Sequence, residues 1–300
     1  METNILLESG TNELEILEFK VGPNFYGINV AKIKEILPYH TPTPIPNGHP
    51  CVEGIFMPRD EIISIIDLSK CLNLPPSEDI SKDMYIITNF NRLNTAFHVH
   101  SVVGIHRVSW ADIVTPDSTV NTAGAGVATG IIKLEKKLII ILDFEKIVSE
   151  ISPETGLKVS DMDEFAERER INYPIMIAED SSLLGHLIVE CLHKAGYQNV
   201  QMMINGKEAW DKLQEYCDEG TIDEKVSLVI TDIEMPQMDG HRLTKLIKED
   251  SRLSHIPVVI FSSLINEEMR RKGEQLGADA QLTKPEIGNL VEAVDKLLGI

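Results

Sequence analysis

Four apolar runs in the second half of the chain each stop on residues able to do chemistry. Residues 174–178 run into Glu179 and Asp180, 226–231 into Asp232, 257–261 into Ser262 and Ser263, and 280–282 into Thr283, Lys284 and Pro285. If these runs are strands of an open parallel sheet, ligand chemistry gathers beyond their carboxyl ends. Three carboxylates would then share one crevice with a hydroxyl and a lysine. Clustered carboxylates repel one another, so a cation must offset their charge. A hard divalent ion such as Mg2+, held by oxygen ligands and keeping several waters, meets that need. Lys284 adds a fixed positive charge. Such a site suits phosphoryl transfer, in which metal and lysine stabilise charge spread over the equatorial oxygens. One carboxylate can itself be the nucleophile, giving an aspartyl phosphate.

The elements needed to position these residues are legible around them. A strand at 200–203 completes a set of five. Helical apolar spacing over 182–195, 207–216, 241–249, 267–276 and 287–298 separates or follows the strands. Strand and helix alternate five times, which implies a parallel sheet with right-handed crossovers and helices on both faces.

The first 150 residues have a different grammar. Strand-like text is expected over 13–21, 25–30, 61–67, 84–89, 96–103, 129–134 and 137–142, with a hairpin around Gly22 and Pro23. Short helices are expected over 32–37 and 68–72. Turn formers cluster at 42–50, 75–76 and 121–130. Many short strands with Gly and Pro punctuation point to an all-β barrel or sandwich. Residues 149–172 are charged and carry Pro153 and Gly156, the composition of a linker, with a short helix possible at 163–170. The expected division is 1–150, a linker at 151–172, and 173–300.

Composition excludes several classes. The net charge is -19, and both halves are acidic, so neither offers the basic footprint that nucleic acid requires. No apolar run reaches bilayer length, and residues 1–15 lack the basic start and apolar core of a signal peptide. The four cysteines are scattered without a CxxC pair, which fits a reduced, cytoplasmic setting and not a zinc site. Gly124 and Gly126 are followed by Val127, so that loop is no phosphate-binding P-loop. His98, His100 and His106 share a parity on strand-like text and read as polar strand positions rather than a metal site. Trp110 and Trp210 read as packing residues.

The text from 174 to 300 resembles the CheY-type receiver domain of two-component signalling, an α/β flavodoxin-like (βα)5 fold. The matching stretches are IAEDSS, LVITDIEMPQMDG, IPVVIFSS and TKP. The resemblance implies that Asp232 is the phosphoryl acceptor. It implies that Glu179 and Asp180 hold Mg2+ together with Asp232 and the backbone carbonyl of Glu234. Ser262 would hydrogen-bond the incoming phosphoryl group, Lys284 would bridge to it, and Pro285 would follow through the cis bond usual in the family. Gly240 would open the helix after the acceptor loop. Two positions depart from the family. Gln281 stands where an aromatic residue is usual three positions before the lysine, and Glu234 adds a carboxylate two positions after the acceptor.

The first 150 residues resemble the CheW coupling protein in EILEFKVGPNFYGINVAKIKEIL, PCVEGIFMPRDEIISIIDLSKCL and GIIKLEKKLIIILDFEKIV. The implied fold is a double β-barrel with a shared core. The implied partners are the histidine kinase CheA and the cytoplasmic tip of chemoreceptors. Arg59 falls where the family commonly has an exposed Arg-Gly pair in receptor contact, although Asp60 replaces the glycine here. The pairing of the two domains resembles CheV, a receptor-kinase coupling protein. It implies a non-enzymatic scaffold at receptor arrays, modulated by phosphorylation at Asp232 and serving adaptation. The alternative is a phosphate sink that drains phosphoryl groups from the kinase. A DNA-binding response regulator would need a basic output domain, and none is apparent.

Overall fold

The computed structural model describes residues 11–90, 93–116, 126–134, 137–152, 170–265, 267–284 and 287–300. The chain divides into two compact units, Leu14–Thr155 and a second drawn mainly from Gly156–Ile300. The larger part of the expected linker, residues 153–169, lies outside the described residues, as does most of the helix considered at 163–170.

In the first unit, Glu13–Val21 (β1) and Asn24–Asn29 (β2) form the expected hairpin, with Phe19 opposite Tyr26 and Leu17 opposite Ile28. Ile33–Pro38 (β3), Val52–Phe56 (β4), Ile63–Asp67 (β5), Met84–Phe90 (β6) and Leu93–Val99 (β7) build a five-stranded sheet ordered β3-β6-β7-β5-β4. Ser101–Ser109 (β8), Ile113–Val114 (β9), Ala128–Leu134 (β10) and Lys137–Leu142 (β11) join the hairpin in a six-stranded sheet ordered β8-β1-β2-β11-β10-β9. Two helices, Leu68–Cys71 (α1) and Phe144–Ile151 (α2), begin at Asp67 and Asp143, whose side chains accept from the first backbone N–H groups.

One core joins the two sheets. Phe19 of β1, Phe97 of β7 and Phe144 of α2 are fully buried together, with the Phe97 and Phe144 rings edge-to-face at 4.7 Å. Each such phenylalanine contributes about 1.5–3 kcal/mol of burial, so the aromatic cluster ties the unit together.

Several expectations needed correction. The helix expected over 32–37 is strand β3, because Ile36 and Leu37 pair with Ile86 and Tyr85 of β6. A short apolar run does not distinguish helix from strand, and tertiary pairing decides. The strand expected over 96–103 is two strands. It breaks at His100, whose N–H donates to the Lys20 carbonyl at 2.9 Å, and β7 and β8 then enter different sheets. Strand β4 and helix α2 were not anticipated. Trp110 is buried in the core, as expected of a packing residue.

In the second unit, Ile175–Ala178 (β12), Val200–Met203 (β13), Leu228–Thr231 (β14), Val258–Ser262 (β15) and Ala280–Thr283 (β16) form a parallel sheet ordered β13-β12-β14-β15-β16. Every residue of β12, β14 and β15 is buried, as expected of strands covered on both faces. Ser182–Lys194 (α3), Gly206–Glu219 (α4), Ile222–Lys225 (α5), Gly240–Glu249 (α6), Glu267–Gln275 (α7) and Ile287–Leu298 (α8) are the helices. α3 and α8 bury Ile188, Leu192, Leu290 and Val294 on one face. α4, α5 and α6 bury Leu213, Ile222, Leu243 and Ile247 on the other. In chain order the strands run 2-1-3-4-5, which puts the topological switch point between β12 and β14.

Candidate phosphoryl-acceptor site

The switch point is where the acidic residues lie. Ala178 pairs with Thr231 as the last matched residues of β12 and β14, so the next residues, Glu179 and Asp232, emerge side by side. The Asp232 N–H donates to the Ala178 carbonyl at 3.0 Å, and the Glu179 N–H to the Met203 carbonyl at 3.0 Å. These bonds hold both residues at the strand ends. One ligand oxygen each from Glu179, Asp180 and Asp232 falls within 4.8 Å of the others.

Lys284 follows β16 and is buried, with Nζ 2.6 Å from Oδ2 of Asp232 and 3.0 Å from Oε2 of Glu179. The other Asp232 oxygen, Oδ1, accepts from the Ile233 N–H at 2.6 Å. Burial drives the Glu179 carboxyl up to about 8; Lys284 opposes that rise and the Asp232 charge adds to it. Ser262 ends β15 opposite Thr283 of β16, is almost fully buried, and its Oγ accepts from the Leu264 N–H at 3.2 Å.

The acceptor loop is closed by backbone contacts. The Gly240 N–H donates to the Ile233 carbonyl at 2.9 Å, and a Cβ on Gly240 would collide with the Asp232 carbonyl oxygen. Glycine here is therefore a requirement of close approach. Asp239 caps α6 by accepting from the Arg242 N–H at 2.7 Å; it is buried, and burial raises its carboxyl to about 6. Sequence reasoning did not single out this cap, although Asp-Gly before an amphipathic run is a helix-start signal. Glu234 is half-buried beside the acceptor. Pro285 lies outside the described residues.

Three carboxylates within reach of one point, all hard oxygen donors, fit a divalent cation of the Mg2+ type. Glu179, Asp180, Asp232, Ser262 and Lys284 are thus brought together at one end of the sheet.

In the first unit, Arg59 lies in the loop between β4 and β5. Its side chain is 81% exposed and pairs with Glu35 at 2.7 Å. Arg59 and Asp60 both have left-handed φ, +52° and +67°. That conformation favours glycine, and here two other residues adopt it. Met57 and Ile62 flank the pair and are largely exposed. The three histidines do not converge. His98 is buried between Glu53 and Asp83, His100 accepts from the Gly22 N–H, and His106 pairs with Glu18.

Comparison with known proteins gives one family match within each compact unit. The CheW-like domain family matches residues 15–152, and the response regulator receiver domain family matches residues 175–295. Chemotaxis protein CheV2 of Helicobacter pylori is 30% identical over 309 residues, covering 96% of this chain and 95% of the relative. The chain belongs to the CheV family. Chemotaxis protein CheV3 of the same organism is 28% identical over 302 residues, with 96% and 95% covered. Chemotaxis protein CheW of Treponema pallidum is 30% identical over 141 residues, 46% of this chain and 83% of the relative. As a CheV-family chain, the protein is a chemotaxis coupling protein with a receiver domain. Scaffolds of this kind are in general not enzymes. Their CheW-like domains serve coupling between the chemotaxis kinase and receptors, and receiver domains in general bind Mg2+ in their acidic pocket. Among the described residues no helix is long and apolar enough to cross a membrane.

Proposed function

We propose that Asp232 accepts a phosphoryl group from the kinase CheA, and that the phosphorylated receiver changes how the coupling unit joins CheA to the cytoplasmic tip of chemoreceptors. The observation that carries this reading is Lys284, whose buried Nζ lies 2.6 Å from Asp232 beside a three-carboxylate cluster.

A carboxylate oxygen of Asp232 attacks phosphorus while the bond from phosphorus to the donor nitrogen breaks, and the donor imidazole leaves with the electron pair. Lys284 Nζ and Ser262 Oγ stabilise the charge on the transferring oxygens. Mg2+, held by Glu179, Asp180, Asp232 and the Glu234 carbonyl, supplies charge neutralisation when bound. On the coupling unit, Arg59 with Met57 and Ile62 forms a charged and apolar loop suited to a partner. We place the protein in the cytoplasm, at receptor arrays, and take residues 151–172 as the linker between units 1–150 and 173–300.

The phosphate-sink alternative requires only the receiver and gives the coupling unit no role, whereas the CheV relatives match along the whole chain. The decisive experiment compares receptor control of CheA with wild type and with Asp232→Ala, each with phosphodonor. The expected result is a donor-dependent change in kinase output with wild type only. Identical responses would overturn the switch.

A further inference from the structure

Gln281 sits in β16, three residues before Lys284, and is 8% exposed. Its Nε2 donates to the Arg270 carbonyl of α7 at 2.7 Å. Because the acceptor is a carbonyl, the atom facing it must be the NH2 group, so the orientation of the amide is fixed. The other half of the amide is different. Oε1 is buried and has no hydrogen-bond partner among the described residues.

α7 is shaped to receive this side chain. Gly273, one turn after Arg270, faces the amide so closely that a Cβ there would strike Oε1, Cδ and Nε2 of Gln281. Glycine weakens a helix interior relative to alanine, and α7 is otherwise rich in charged helix formers. The glycine therefore serves the contact and not the helix.

We propose that Gln281 is a latch that holds α7 against β16 while Asp232 is unphosphorylated, and that it releases when Lys284 is drawn to the phosphoryl group. The inference rests on the phosphorylation reading above and names how that site reaches its surface. A latch must hold, yet be close in energy to its open state. The hydrogen bond to Arg270 and the packing of the amide on Gly273 favour the closed form, and one desolvated acceptor opposes them. Opening gives Oε1 access to water, so a small displacement of β16 suffices to shift the balance. The displacement has a source. Lys284 follows directly on β16 and is bonded to both Asp232 and Glu179, so moving its ammonium pulls on the strand that carries Gln281. α7 and α6 are neighbours, so a freed α7 alters the face beside the acceptor loop.

The test is hydrogen–deuterium exchange of α7 amides in the full chain, as wild type, Gln281→Met and Gly273→Ala. Each is measured without and with beryllofluoride plus Mg2+, with fluoride occupancy read separately by fluorine NMR. Methionine preserves length and volume but removes the donor. Alanine favours helix, so faster exchange in Gly273→Ala cannot come from propensity.

In wild type the expected result is α7 exchange about fivefold faster with the mimic, the worth of one net hydrogen bond. Both variants should exchange at the fast level without the mimic and gain nothing from it, at unchanged occupancy. Equal α7 exchange in wild type and Gln281→Met without the mimic overturns the latch. So does an unchanged wild-type α7 with the mimic bound. If no mimic binds to wild type, the acceptor reading fails instead, and the mimic-free comparison still judges the latch.

Discussion

The ammonium of Lys284 is shared between Asp232 and Glu179, at 2.6 Å and 3.0 Å, in a pocket where all three residues are buried. This one cation offsets two carboxylates that strand register forces together. The arrangement stabilises the apo receiver and also stores the group that the reaction needs.

Lys284→Met should therefore affect stability and chemistry in separable ways. Removing one partner of a buried ion pair typically costs about 3–5 kcal/mol. In chelator the receiver should lose stability on that scale, measured in a Trp110→Phe background by urea unfolding followed through Trp210. Added Mg2+ should restore part of the loss, because a divalent ion can replace the missing charge. Phosphorylation from a small-molecule donor in saturating Mg2+ should still fall about 100- to 1000-fold, the usual effect of deleting one charge-stabilising donor. Equal stability with and without chelator would show that Lys284 is not the counter-charge.

Gly240→Ala tests the geometry of the acceptor loop rather than its charge. The added methyl would meet the Asp232 carbonyl oxygen, a backbone atom that cannot rotate away. Forced overpacking of this kind costs about 1–3 kcal/mol. The loop must shift, and the acceptor moves with it. The phosphorylation rate should fall by more than tenfold while the parallel sheet survives, as read by circular dichroism. A normal rate would mean that α6 can retreat without moving Asp232.

Much of this site was legible because parallel strands leave a strong signature. Runs such as LVI and VVIF are apolar throughout, and the polar residues that follow each run fall at the carboxyl end of the sheet. Glu179, Asp180, Asp232, Ser262 and Lys284 followed from that rule. The coupling unit was less legible for the same physical reason inverted. Its strands are partly exposed, so Ile33–Pro38 could pass for a helix. The break at His100 depends on a hydrogen bond to Lys20, far away in sequence. Contacts such as Glu53 with His98, or Gln281 with Arg270, join side chains to distant partners and leave no spacing to read.

Arg59→Ala should separate binding from stability. The side chain is exposed, and surface ion pairs such as that with Glu35 contribute about 0–1 kcal/mol. Thermal unfolding of the coupling unit should barely change. Binding to kinase or receptor fragments should weaken at least about fivefold if Arg59 anchors a partner, since such anchors contribute more than about 1 kcal/mol. Calorimetry with each fragment separately identifies which partner is contacted. Unchanged affinity for both would leave Arg59 a solvated charge.

The coupling unit should also carry a pH signature from His98. Its imidazole spans Glu53 of β4 and Asp83 before β6, 2.9 Å from each, so both ring nitrogens face carboxylates. Tyr39 donates to Glu53 and Ser77 to Asp83, which leaves the carboxylates well satisfied. Burial lowers the His98 pKa, but the bonds and charges of Glu53 and Asp83 outweigh it, and the net shift is upward. A group with a raised folded pKa stabilises fully below its unfolded value, about 6.5. That contribution is lost as pH rises through the folded value. Neighbours are part of the same balance. Asp67 and its partner Lys70 lie nearby, His100 is shifted down by burial, and Tyr39 and Tyr85 are shifted up. In a Trp210→Phe background, fluorescence follows Trp110 alone, because the chain has 2 tryptophans. The melting temperature of the coupling unit should decline on going from pH 6 into the alkaline range. His98→Gln should melt lower at pH 6, by the equivalent of about 1–3 kcal/mol for bonds to charged groups, and its alkaline decline should be flatter. Parallel pH profiles for the two proteins would show that the imidazole is not the titrating group.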